Sequence, residues 1–245
     1  MVGNMNYKKC ALVITGCISP NSDVPVLKLT DSDERRKQYI QSIKYYIESS
    51  PFENIVFCDN SNAEAEEVLF SLAKKNNKQF EWLSFNGDQE KVVQYGKGYG
   101  EGEIMDYVLN HSVLIEDAEI LVKTTGRLMV KNCGFILRFA NPCVAHFMPV
   151  RVSDRRPYID TRIYMMPKEC YQRYFRWVHI DVDDRNGTYL EHTFGAAVRE
   201  HKIPYKRFLV APNIWGMSGS VGTIYRPNLL KQLKHTIKMY LVKLK

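Results

Sequence analysis

The 245-residue chain lacks several common signatures, and each absence narrows what it can be. Its six cysteines, at positions 10, 17, 58, 133, 143 and 170, form no CxxC pair. That spacing excludes a zinc ribbon and a disulfide frame, and fits reduced, largely buried thiols of a cytoplasmic protein. No apolar run reaches the roughly 18 residues that a membrane-spanning helix needs. Residues 1–9 hold no apolar signal-peptide core, so a cytoplasmic location is expected. The glycines match neither the P-loop nor the dinucleotide-binding spacing. There is no aromatic–basic RNA-binding motif, and no compact basic run outside the C-terminus, so nucleic acid is not expected as a partner.

What is present is ordinary in bulk, with 45% hydrophobic and 25% charged residues, and basic in balance, with a net charge of +7. A basic surface fits an anionic membrane or a phosphorylated substrate as well as nucleic acid. The sequence is organised around residues 96–132. Gly96-Lys97-Gly98-Tyr99-Gly100-Glu101-Gly102 reads as a glycine-rich loop. A helix carrying Ile104, Tyr107, Val108 and Ile115 follows, at helical spacing. Next comes a short apolar strand, Ile120-Leu121-Val122-Lys123, ending in Thr124-Thr125-Gly126-Arg127. Glycines allow close backbone approach, and a helix start favours anions. Lys97, the loop glycines, Lys123 and Arg127 are therefore expected to converge on a diphosphate; the plainer reading is a simple turn.

Along the chain, strands are expected at 8–14, 54–58, 80–85, 144–150, 159–166 and 208–210. Helices are expected at 31–48, 63–76, 167–177 and 188–201, with an amphipathic one at 229–245. Apolar strands alternating with helices predict an α/β fold: a mostly parallel central sheet flanked by helices. Polar residues follow each of the early strands: Thr15-Gly16, Asp59-Asn60, Asn86-Gly87-Asp88 and Thr124 to Arg127. In such sheets that edge binds ligands.

These runs, with Ile55-Val56-Phe57-Cys58-Asp59-Asn60-Ser61 and Gly216-Met217-Ser218-Gly219-Ser220-Val221-Gly222, resemble bacterial glycosyltransferases of the GT-A type that build capsular or lipopolysaccharide glycans. The resemblance spans residues 10 to about 225. It implies one GT-A-like domain over 1–245, with a nucleotide-binding half at about 1–132 and an acceptor-side half at about 133–245. It also implies a nucleotide-sugar donor and a glycan or lipid-linked glycan acceptor. Donor contacts would come from Thr15, Gly16, Asp59, Asn60, Lys97, Gly98, Lys123, Thr125, Gly126, Ser218, Gly219 and Ser220. Such enzymes usually carry an Asp-x-Asp metal site at the end of the strand that here reads Val122 to Arg127. With no carboxylate there, no cofactor is expected, and Arg127 is the candidate to stabilise the leaving phosphate, because its fork binds phosphate without an ion.

Glu191 is the candidate base, at a place similar to the family's acid; its alternative role is to stabilise a helix start. Arg155 and Arg156, with Arg151 and Arg162, form a basic cluster for an anionic acceptor, and His192 stands beside Glu191. Asp181-Val182-Asp183 is a literal Asp-x-Asp whose plainer reading is a solvated loop. The last helix gathers Leu229, Leu230, Leu233, Ile237, Tyr240, Leu241 and Leu244 within an arc of roughly 120°, with lysines beside it. Peripheral contact with an anionic inner leaflet is one reading, and packing on the domain is the other. Rival functions are a nucleotidyltransferase, which needs metal carboxylates, and a basic RNA-binding protein.

Overall fold

The computed structural model describes residues 6–25, 27–150, 158–217, 222 and 224–242. Its strands are β1 (Cys10–Gly16), β2 (Asn54–Asp59), β3 (Gln79–Ser84), β4 (Ile120–Thr125), β5 (Leu128–Val130), β6 (Ala145–Phe147), β7 (Ile163–Pro167), β8 (Tyr205–Arg207), β9 (Ile214–Met217) and β10 (Ile224–Tyr225). Its helices are α1 (Ser32–Ser49), α2 (Glu67–Lys75), α3 (Gln89–Tyr95), α4 (Lys97–His111), α5 (Val113–Glu116), α6 (Cys133–Arg138), α7 (Lys168–Tyr174), α8 (Leu190–Glu200) and α9 (Leu229–Leu241).

Among the described residues, seven strands form the main sheet in the order β3-β2-β1-β4-β7-β6-β8, and β10-β9-β5 form a small second sheet. Four of the six neighbouring pairs in the main sheet run parallel, while β7 runs against both β4 and β6. The expected mostly parallel sheet with helices on both faces, and the C-terminal helix, are therefore found. Alternation along β1 shows how the two faces fill. Cys10, Leu12 and Ile14 pack with Tyr39, Ile43 and Ile47 of α1. Ala11 and Val13 pack with Ile104 and Val108 of α4 and Phe194 of α8. Side chains buried on both faces explain why these strands read as continuous apolar runs.

The glycine-rich stretch corrects the sequence reading. It is not a loop: Lys97 begins α4, and Gly98, Gly100 and Gly102 lie inside its first turns. Glycine weakens a helix by about 1 kcal/mol relative to alanine, so packing must account for three of them. A Cβ at Gly98 would meet Leu190 at 3.0 Å, and at Gly102 it would meet the His179 ring at 2.2 Å. The glycines let α4 lie tightly against the start of α8 and the 3-10 turn at Val178–Asp181. Gly96, at φ +107°, supplies the left-handed turn that separates α3 from α4.

Other corrections are smaller. The second helix starts at Glu67 rather than near 63. No strand covers 208–210; the edge strand is β8 at Tyr205–Arg207. Within the 144–150 stretch β6 covers only Ala145–Phe147, and a turn at Thr161–Arg162 delays β7 to Ile163–Pro167.

Candidate active site

The carboxyl ends of β1, β2 and β4 open into a cavity of about 1040 Å³. Its walls come from Thr15, Gly16 and Asn60 at the sheet edge, from the first turns of α4, from Tyr158 to Arg162, from the start of α8, and from α9. Of the residues singled out in the sequence, Thr15, Gly16, Asn60, Lys97, Gly98, Thr125, Arg127, Arg162 and Glu191 line it.

Several charged candidates are used by the fold. Asp59 is fully buried. Its carboxylate accepts from the backbone N–H of Ile18 at 2.7 Å, Ser61 at 2.9 Å and Ala63 at 3.0 Å, and from the Ser61 hydroxyl at 2.8 Å. It ties the β1 and β2 loops together beneath the cavity and does not face it. Lys123 is fully buried as well. It donates to Glu101 Oε1 at 2.5 Å, to the Thr161 carbonyl at 2.8 Å and to Thr125 Oγ1 at 3.2 Å. Its charge is thus matched by Glu101 rather than presented to a ligand. Gly126 donates its N–H to the Thr15 carbonyl at 2.9 Å, closing the ends of β1 and β4 together. The divalent-ion position implied by the resemblance therefore holds an ammonium with its own carboxylate, a donor set that does not fit a metal. No group of three or more metal-type ligands occurs among the described residues.

Arg127 is in the cavity wall, buried but for 6% of its surface. Its guanidinium donates to Gln38 Oε1 at 3.1 Å and lies 5.9 Å from the centre of the Tyr39 ring. Arg35, which the sequence reading passed over, lies 5.8 Å from the centre of the same ring. Its donors reach the carbonyls of Cys17 at 2.8 Å and Leu29 at 3.0 Å, so it shapes the β1 loop. Being one polar position within a helical pattern, it carried no local signal.

Two carboxyls facing the cavity are shifted. Burial first, then the charges of Glu101 and Asp160, push Glu191 up to about 7, against the pull of its own backbone N–H and of Lys97. Burial likewise raises Asp184 to about 6, although Lys97 and the backbone N–H groups of Gly98 and Lys97 hold it down. Asp184 thus sits on the N-terminus of α4, the position the sequence reading gave to a diphosphate. It adjoins the Asp-x-Asp run, and that adjacency was the available signal. Asp183 itself accepts from the N–H and Nδ2 of Asn186 at 3.1 and 2.7 Å, and neither it nor Asp181 lines the cavity. Asp160, also missed, is buried and grips Arg162 Nε at 2.9 and 3.0 Å.

His192 does not line the large cavity. Its Nδ1 accepts from the Tyr189 N–H at 3.1 Å, capping α8, and the ring packs against Tyr158 and Tyr189. It lines a separate groove between α7 and α8. Arg151, Arg155, Arg156, Ser218, Gly219 and Ser220 lie outside the described residues.

No family model and no curated protein matches this chain. Solved structures similar to it include HddC from Yersinia pseudotuberculosis, 12% identical over 85% of this chain and 93% of that one, with a TM-score of 0.44. Another is a nucleoside-diphosphate-sugar pyrophosphorylase from Vibrio cholerae, 11% identical over 84% of this chain and 94% of that one, with a TM-score of 0.48. A third is a glycosyltransferase involved in glycosylation of the major capsid of PBCV-1, 12% identical over 81% of each chain, with a TM-score of 0.43.

Proposed function

We propose that the protein is a glycosyltransferase that moves a sugar from a nucleotide donor to a surface polysaccharide or lipid-linked glycan, without a metal ion. The observation that carries this reading is Glu191: a carboxyl raised to about 7, in the wall of a large cavity at the ligand-binding edge of an α/β sheet. A base whose pKa lies near the working pH combines ionisation with proton affinity. The same cavity offers Lys97 and Arg127 as cations, while the charge of Arg162 is matched by Asp160.

In the proposed reaction Glu191 takes the proton of an acceptor hydroxyl. The hydroxyl oxygen bonds to the anomeric carbon with inversion, and the bond from that carbon to the donor phosphate breaks. The electron pair leaves on the diphosphate, whose growing charge Arg127 and Lys97 stabilise. Residues of the first half, 1–132, hold the donor and those of the second half the acceptor. The protein works on the cytoplasmic side, with the last helix in peripheral contact with an anionic membrane.

Calorimetry with UDP, GDP, CMP and dTDP and their sugars tests the reading. At least one is expected to bind with micromolar to millimolar affinity; no binding by any of them overturns it. The nucleotidyltransferase alternative predicts pyrophosphate release and activity abolished by EDTA.

A further inference from the structure

The chain is electrically divided. Residues 201–245 carry nine lysines and arginines and no aspartate or glutamate, whereas residues 1–200 carry 25 basic and 27 acidic side chains. The whole positive excess therefore sits in the last 45 residues, and α9 lies within them.

α9 is attached by its more polar side. Met239 is buried beside Met148 and Ala211. Thr236 Oγ1 accepts the Ala211 N–H at 3.0 Å, and Gln232 donates to the Ala211 carbonyl. The Tyr240 hydroxyl reaches the Phe208 and Leu209 carbonyls at 3.1 Å each. Arg207 donates to the carbonyls of Met239 and Val242, pinning the far end. Leu229, Leu230, Leu233, Ile237 and Leu241 are instead between 51% and 89% exposed. On a helix of 3.6 residues per turn they share one arc with Tyr240. A helix packed for stability buries its apolar arc, and this one turns that arc outward.

We propose that α9 lies flat on an anionic lipid bilayer, with this arc in the headgroup–acyl boundary and its lysines among the lipid phosphates. Charge selects the occupant. Lys231, Lys234 and Lys238 border the arc, and no acid lies within the segment to meet them. A second copy of the chain would bring the same positive segment against itself. No described helix is long and apolar enough to cross a membrane, so the contact is interfacial. Lys231, Lys234 and His235 also line the cavity, so its mouth opens at the level of the bilayer surface. Resting on the transferase reading, this names the acceptor class: an amphiphile with a phosphorylated headgroup, glycosylated without leaving the membrane.

The test is flotation of the full chain with phosphatidylcholine vesicles, with and without phosphatidylglycerol. Binding is expected with anionic vesicles, weakened by high salt and near absent with neutral ones; each lysine contributes about fivefold. The double variant Leu233→Ser, Ile237→Ser is expected to lose flotation while keeping its melting temperature and nucleotide binding, since both side chains are exposed and outside the cavity. Lys238→Gln is expected to weaken binding about fivefold. Failure of the full chain to float, or equal flotation by the double variant, overturns the proposal. So does a dimer that the double variant dissociates, because a second copy then covers the arc. Loss of nucleotide binding in calorimetry would sink the transferase reading and leave the flotation result standing.

Discussion

Asp59 and Glu191 are both carboxylates beside one cavity, and they are treated in opposite ways. Asp59 is fully buried and accepts four hydrogen bonds from three residues. Glu191 is partly buried near other carboxylates, and its proton is held to about pH 7. Burial beside like charges destabilises a carboxylate's charged form, and that raises Glu191. The first arrangement builds a scaffold; the second stores a readiness to exchange a proton. Sequence reading placed both in the site, and only their surroundings separate them.

Glu191→Gln is expected to separate them most sharply. Turnover should fall roughly 10²–10⁴-fold with donor binding retained, the usual worth of a general base; near-normal turnover rejects the role. The same variant has a stability signature. Glu191 titrates at 4.5 ordinarily and at about 7 in the folded chain, so the fold binds an extra proton between those values. Native stability therefore declines as pH rises from 4.5 to 7, because the charged form is the one burial disfavours. Melting temperatures of the Gln variant and the parent should diverge over that window, with the variant higher above pH 7. Parallel curves would show that Glu191 is not raised.

Asp59→Ala should act on stability, costing about 3–5 kcal/mol by leaving several buried donors unmet. Urea unfolding measures it, and Asp59→Asn should recover part. A stable Asp59→Ala protein with weakened nucleotide binding would return Asp59 to the donor site.

Arg127→Ala should lower turnover roughly 10²-fold, as removal of a transition-state charge donor does, and Arg127→Lys should restore only part. Activity lost in EDTA, regained with Mn²⁺ and destroyed by Asp183→Ala would replace the guanidinium by a metal.

The strands and the long helices were legible because their apolar patterns are unbroken, as in Cys10 to Ile14 and Asn54 to Cys58. The start of α4 was not, because four glycines in seven residues read locally as a loop, and only Leu190, Val182 and His179, distant in sequence, reveal the packing reason. The short strands β9 and β10 leave no periodic trace. The cavity's cations were visible by type, but Lys123's partner Glu101 is 22 positions away and becomes adjacent only across a strand and a helix. For α9 the periodicity gave the two sides of the helix; which one faces outward depends on Ala211, Phe208 and Arg207, which no local pattern connects to it.

The tight seat of α4 on α8 makes one methyl group a tuning device. A Cβ at position 98 meets Leu190 Cβ at 3.0 Å and its backbone nitrogen at 3.3 Å, one residue before Glu191. Gly98→Ala should lift the first turn of α8 by a few tenths of an ångström and let water reach the neighbouring carboxyl. Better hydration favours the ionised form, so the rising limb of the pH–rate profile should move to lower pH, with a smaller loss of turnover than any change above. An unmoved limb in a folded variant would mean that α8 yields elsewhere. The glycine that in the sequence marked a phosphate loop is, in the folded protein, the spacer that lets α4 seat against Leu190, one residue before Glu191.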